Sequence, residues 1–259
     1  MLAVGRLAAA EEELYAAVGE RPRAPEARGA LGAYLASRGR FRIAEILLEE
    51  AMHFGADSGS VRRAITRMAP YRARVTAGDG VTVPYTPDTE PNTLGSFELR
   101  PQRDARVAFV ALIDPAATGL VLGRRAAEAF GVTGGVHDAG VRDAPVREVW
   151  IGALRLEGLR ATVDTLASAG EVRIGLDVLW PLHLRVDERV GMLVLGRPPQ
   201  AAAGARVERI PFVLTFPGLL LVMRPGEVPH AMASREGRAL LRGSRWQIDA
   251  AQSTVVIER

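Results

Sequence analysis

The chain has 259 residues, 48% hydrophobic and 24% charged, a composition suited to packed globular structure rather than disorder. It contains no cysteine, which excludes disulfides, thiol nucleophiles and zinc–thiolate sites, and no lysine, so all 33 basic residues are arginines. The net charge of +3 beside a pI near 9.9 reflects that arginine usage: the arginines are spread among 30 acids, with no basic run to track phosphates.

Several partner classes drop out on these grounds. Nucleic acid is not an expected partner, and a Walker-type phosphate loop is impossible without its lysine. The histidines, His53, His137, His183 and His230, are too far apart in sequence for metal-ligand spacing, so neither metal nor cofactor is expected. No stretch reaches eighteen apolar residues, so no membrane partner is expected. The opening "MLAVGRLAAAEEELYAAVGE" turns acidic before a secretory apolar core is complete, which makes cytoplasmic residence the expectation.

The fold class expected is multidomain α and β. Residues 1–75 are predicted helical, with apolar residues at helical spacing in "LAAAEEELYAAVG" and "VRRAITRMAPYR". Between these runs, Leu31, Gly32, Leu35, Gly39, Ala44, Leu48 and Ala51 fall at the spacing of one helix–turn–helix repeat. Small residues at 32, 44 and 51 let two antiparallel helices approach, and Gly39 opens the turn. The segment resembles a tetratricopeptide repeat, although Arg28 stands where a large aromatic is usual. It is either a helical cap on the rest of the chain or a small partner-binding groove.

From Gly78 the pattern changes to period-two and short apolar runs, which predict a mainly-β domain over 78–197. The runs are "VAFVALI", "GLVL", "VREVWIGALRLEGLRATVDTL", "VRIGLDVLW" and "LHLRVDERVGMLVL". One clear helix, "RRAAEAFG", is closed by Gly131. A second linker, "RPPQAAAGAR", precedes a last region over 205–259 with strand-like "RIPFVLTF", "GLLLVM" and a hairpin in "RWQIDAAQSTVVIE".

The segment "ALIDPAATGLVLGRRAAEAFGV" resembles the catalytic segment of retropepsin-like aspartic proteases, in which a strand delivers Asp-Thr-Gly-Ala-Ser/Thr. Asp114, Ala117, Thr118 and Gly119 match, and "VWIGALRLEGLRATV" and "VRIGLDVLWPLHLRVDERVGMLVL" follow in that family's order. The resemblance covers roughly residues 80–196 and implies an acid-protease-like barrel. It implies Asp114 as the catalytic candidate and Thr118 and Gly119 as substrate-binding. His137 and Asp138 fall where the flap would project, as a ligand contact or a solvated hairpin tip. In the family two aspartates share one proton, activate a water and protonate the leaving amine. Its threonine ties the lobes together, and its glycine admits the partner carboxylate and presents an N–H.

This chain departs at both supporting positions. Pro115 stands for the threonine, without its hydroxyl or N–H, and Ala116 adds a methyl where the glycine leaves room. Outside the dyad, Asp114 reads as an Asx-turn residue or a buried carboxylate paired with an arginine.

The last region can be laid on the first so that "LLVMRPG" falls on "VALIDPA" and Arg224 takes the place of Asp114. An Asp114–Arg224 ion pair would then clamp two lobes without catalysing anything. The alternative is that 205–259 only adds hairpins to one barrel. The expectation is a catalytically inactive pseudoprotease binding a peptide or protein partner. The alternatives are an active endopeptidase pairing Asp114 with its copy in a homodimer, and a structural assembly protein.

Overall fold

The helical spacing near the start produces helices. In the computed structural model the described residues are 7–68, 74–77, 80–87, 92–132, 144–196, 205–215, 219–222, 224, 230–249 and 252–259. They open with α1 (Leu7–Glu20), α2 (Pro25–Ser37), α3 (Phe41–His53) and α4 (Ser58–Met68). Pro25 sits in the first turn of α2, where its missing N–H costs no helical bond. α2 and α3 pack around Gly32: a Cβ there would lie 2.9 Å from Leu48 Cγ and 3.1 Å from the Ala44 carbonyl oxygen. Leu31, Leu35, Ala44 and Leu48 are buried in the helical core. A helical hairpin with a flanking helix on each side thus stands at the expected place. It ends sooner than expected, because strand β1 (Arg74–Ala77) already pairs with the β region.

Strand β2 (Val81–Pro84) is followed by the hairpin of β3 (Ser96–Leu99) and β4 (Phe109–Ile113), then β5 (Leu120–Leu122) and α5 (Arg124–Ala129). Gly131, at φ +68°, closes α5 as expected. Next come β6 (Ala144–Pro145), β7 (Val149–Ile151), β8 (Leu154–Glu157), β9 (Arg160–Val163) and β10 (Val172–Ile174). A short helix α6 (Leu176–Leu179) and a 3-10 turn, Trp180–Leu182, lead to the hairpin of β11 (Arg185–Asp187) and β12 (Met192–Leu195). The expected strand "VRIGLDVLW" therefore ends at Ile174. Leu176–Leu179 are buried on every side, and a short apolar run of that kind carries no period to separate helix from strand.

The remaining elements are β13 (Val207–Thr215), β14 (Leu219–Val222), β15 (His230–Ala231), α7 (Arg235–Leu241), β16 (Arg245–Asp249) and β17 (Thr254–Glu258). α7 was not expected from the sequence, yet Ser234 caps it by accepting from the Gly237 N–H at 3.1 Å.

Two large sheets share one core. One has the order β3-β4-β10-β5-β9-β6, and the other β15-β14-β13-β17-β16-β11-β12-β2. In the first, β4 and β10 run parallel with Ile113 beside Ile174, so both strands end at the same edge of the sheet. That is why a buried strand delivers Asp114 to a surface loop.

The six strands β2-β12-β11-β16-β17-β13 of the second sheet pair symmetrically. Val83↔Leu193 and Pro84↔Met192 in β2–β12 are matched by Ile210↔Val255 and Pro211↔Thr254 in β13–β17. Arg185↔Val194 in the first hairpin is matched by Gln247↔Val256 in the second. The Tyr85 N–H donates to the Gly191 carbonyl at 2.8 Å, as the Phe212 N–H does to the Ser253 carbonyl at 3.1 Å. The Arg185↔Gln247 pair between β11 and β16 lies at the centre of the pattern. Among the described residues the pairing differs beyond these six strands: β14 is followed by antiparallel β15, whereas β4 has the parallel neighbour β10.

Candidate functional site

Asp114 ends β4, and its N–H donates to the Ile174 carbonyl at 3.0 Å, extending the parallel ladder one residue further. The chain then turns back on itself, with the Ala117 N–H donating to the Asp114 carbonyl at 3.1 Å. The Ala116 N–H donates to Asp114 Oδ1 at 2.8 Å, an Asx turn. The other carboxylate oxygen, Oδ2, lies 3.7 Å from Arg173 Nη1 of β10. Arg173 in turn donates from Nε to Glu171 at 2.6 Å. Asp114 is only 8% exposed.

Among the described residues, the Asp114 side chain therefore meets a backbone amide and a guanidinium. The expected pairing with Arg224 is corrected. Arg224 makes a two-pronged contact with Glu208, Nε to Oε1 at 2.8 Å and Nη2 to Oε2 at 3.1 Å. Arg173 holds the cationic place because β10, immediately beside β4, aligns it with Leu112, two residues before the aspartate.

Thr118 is exposed on the loop. Gly119 is buried at φ +66°, and a Cβ there would meet the Arg160 carbonyl oxygen at 2.5 Å. Only a residue without a side chain fits there, beneath the loop. His137 and Asp138 lie outside the described residues.

The sequence reading missed the residue that supports the loop from below. Asp177, in the first turn of α6, accepts the Gly119 N–H on Oδ2 at 2.7 Å. Gly175 completes the lock by donating its N–H to the Gly119 carbonyl at 2.9 Å. Asp177 is 3% exposed, and burial pushes its carboxyl up to about 6, against the opposing pull of the Gly119 N–H. Among the described residues its Oδ1 is buried without a hydrogen-bond partner. The available signal was one acid inside the apolar run "IGLDVLW".

Chemically, one carboxylate beside a guanidinium cannot share a proton as a carboxylate pair does, since arginine stays protonated and only donates. Among the described residues there is no cluster of three metal-ligating side chains, and no helix is long and apolar enough to cross a membrane.

No family model matches the chain, and no curated protein matches it. Among solved structures it is similar to a retropepsin-like aspartic protease from Rickettsia conorii. The identity is 18% and the TM-score 0.31, over 48% of this chain and 95% of that one.

Proposed function

We propose that this chain is a catalytically inactive, retropepsin-like protein that binds a peptide or protein partner. The observation that carries the reading is the company of Asp114: its carboxylate is taken up by the Ala116 N–H and Arg173. Pro115 and Ala116 support it, because they replace the residues a working dyad relies on. The symmetric six-strand pairing supports a second half within the same chain. That half, 205–259, contains a single aspartate, Asp249, which accepts the Gln252 N–H at 3.0 Å in the β16–β17 turn. In the strand pairing Asp249 corresponds to Asp187, so it is no counterpart of Asp114.

The deciding experiment is cleavage of a mixed peptide library from pH 3 to 7 by the wild type and by Asp114→Ala. Neither protein is expected to cleave, and both should remain folded. Cleavage by the wild type that disappears in Asp114→Ala would overturn the reading and favour an Asp114 dyad across a homodimer.

A further inference from the structure

A groove of about 630 Å³, whose lining includes none of residues 114–119, opens between the two large sheets where edge strand β2 meets edge strand β3. The cause is Pro84. Thr86 and Ser96 exchange backbone hydrogen bonds at 2.9 Å, and in that antiparallel register Pro84 would come next, opposite Glu98. Proline has no N–H to give, so the ladder fails there. Ladder bonds alternate along a strand, and those of Ser96 go to Thr86 and those of Arg100 to Trp150. The N–H and C=O of Glu98, between them, turn away from β4 and into the groove.

The slot is one residue long and closed at both ends, by Thr86 at one and by the Arg100–Trp150 bridge at the other. A strand cannot run through it, which favours the end of a chain as its occupant. Two exposed arginines, Arg100 and Arg103, line the groove, and neither has a carboxylate partner among the described residues. Arg103 is stacked 5.7 Å from the Trp150 ring, and Arg100 donates to the Ala105 carbonyl at 3.2 Å. Val110, 59% exposed, and Ala153 supply apolar lining, beside the exposed Glu98 side chain that is Val110's cross-strand neighbour.

We propose that this groove binds the C-terminal end of a peptide. Arg100 and Arg103 take the terminal carboxylate, Glu98 pairs with the last peptide units, and Val110 and Ala153 receive an apolar terminal side chain. A free phosphate would use the arginines alone and leave the backbone slot and the apolar lining idle. The site is independent of the protease-like reading.

The test exposes the full chain to a pool of short peptides randomised at their last four positions, recovers those retained, and remeasures them as free acids and as C-terminal amides. Retained peptides should end in apolar residues. The amides should bind about tenfold weaker or worse, since each lost charge-assisted contact is of that order. Arg100→Gln with Arg103→Gln should produce the same loss at an unchanged melting temperature, both side chains being exposed. The double lysine variant should retain binding. Acids and amides that bind equally, a glutamine variant with wild-type affinity, or a pool from which nothing is retained would each overturn the proposal.

Discussion

Asp177→Asn is expected to make the protein more stable by about 3 kcal/mol at pH 8, by about half that at pH 5, and to change little only below about pH 3.8. The wild-type carboxyl is held near 6 by burial, above its ordinary 3.8, so the folded protein binds this proton more tightly than the unfolded chain. The stabilisation is fully present below about pH 3.8 and is lost as pH rises through about 6. Two pH units of raised affinity correspond to about 3 kcal/mol in the ionised range. The elements packed around it carry Asp114, Arg160 and Arg173 as titratable groups, and none of these pairs with it. Oδ1 and the Ala117 carbonyl oxygen both lie within 2.5 Å of the place a Gly175 Cβ would occupy, so they are near neighbours. A protonated acid, or an asparagine amide, has a donor to offer that carbonyl; an ionised carboxylate has none. Chemical denaturation at pH 4, 5 and 8 reads the effect, the gap between the two proteins widening from pH 4 to pH 8. Glu188, also raised by burial, gives a slope of the same sign, so the difference between wild type and variant isolates Asp177. Equal pH dependence in the two proteins would sink the assignment.

The same residue shows where sequence reading reached its limit. Strands such as Phe109–Ile113 were legible because alternate residues face the core, and the α2–α3 hairpin because Gly32 and Ala44 had to be small. Position 114 was legible too, as an acid closing an apolar strand. Its partners were not. Arg173 lies far along the chain and reaches Asp114 only because β10 is placed parallel to β4, a pairing that no local pattern encodes. Laying 205–259 on the first half agrees with the structure in one respect, since the hairpin around Ile248 pairs as the one around Val186 does. It places Arg224 by counting through a region in which the parallel crossover has no counterpart, since β14 is followed by antiparallel β15. The groove at Pro84 was equally silent: its proline reads as a turn residue until the Thr86–Ser96 bridge reveals the ladder it interrupts.

Arg38→Ala is expected to cost about 2–4 kcal/mol, the range for removing a buried, hydrogen-bonded charge. It should also separate the unfolding of the helices from that of the β region. Arg38 is 8% exposed, donates from Nη1 to the Phe212 carbonyl and from Nη2 to the Ser253 carbonyl at 3.3 Å, and accepts from Ser253 Oγ on its own carbonyl at 2.7 Å. The next residue, Gly39 at φ +76°, lies flat on Trp180: a Cβ there would come within 2.2 Å of the indole. Trp180 also stands edge-on to Phe212, at 4.7 Å between ring centres. In the strand pairing Ser253 takes the place that Gly191 takes in the other half, and both have positive φ, +50° and +62°. The serine bears left-handed strain that glycine avoids, about 1 kcal/mol, and its hydroxyl gains the contact with Arg38. The helices are thus fastened by Arg38 to Phe212 and Ser253 in the second half of the symmetric pattern, and by Gly39 to Trp180, which precedes β11 in the first. Denaturation followed at once by far-ultraviolet circular dichroism and tryptophan fluorescence should give one coincident transition in the wild type. In Arg38→Ala the helical signal should be lost first, and Gly39→Val should behave likewise by displacing the turn from Trp180. Coincident transitions at the wild-type midpoint in both variants would mean that the helices are held elsewhere.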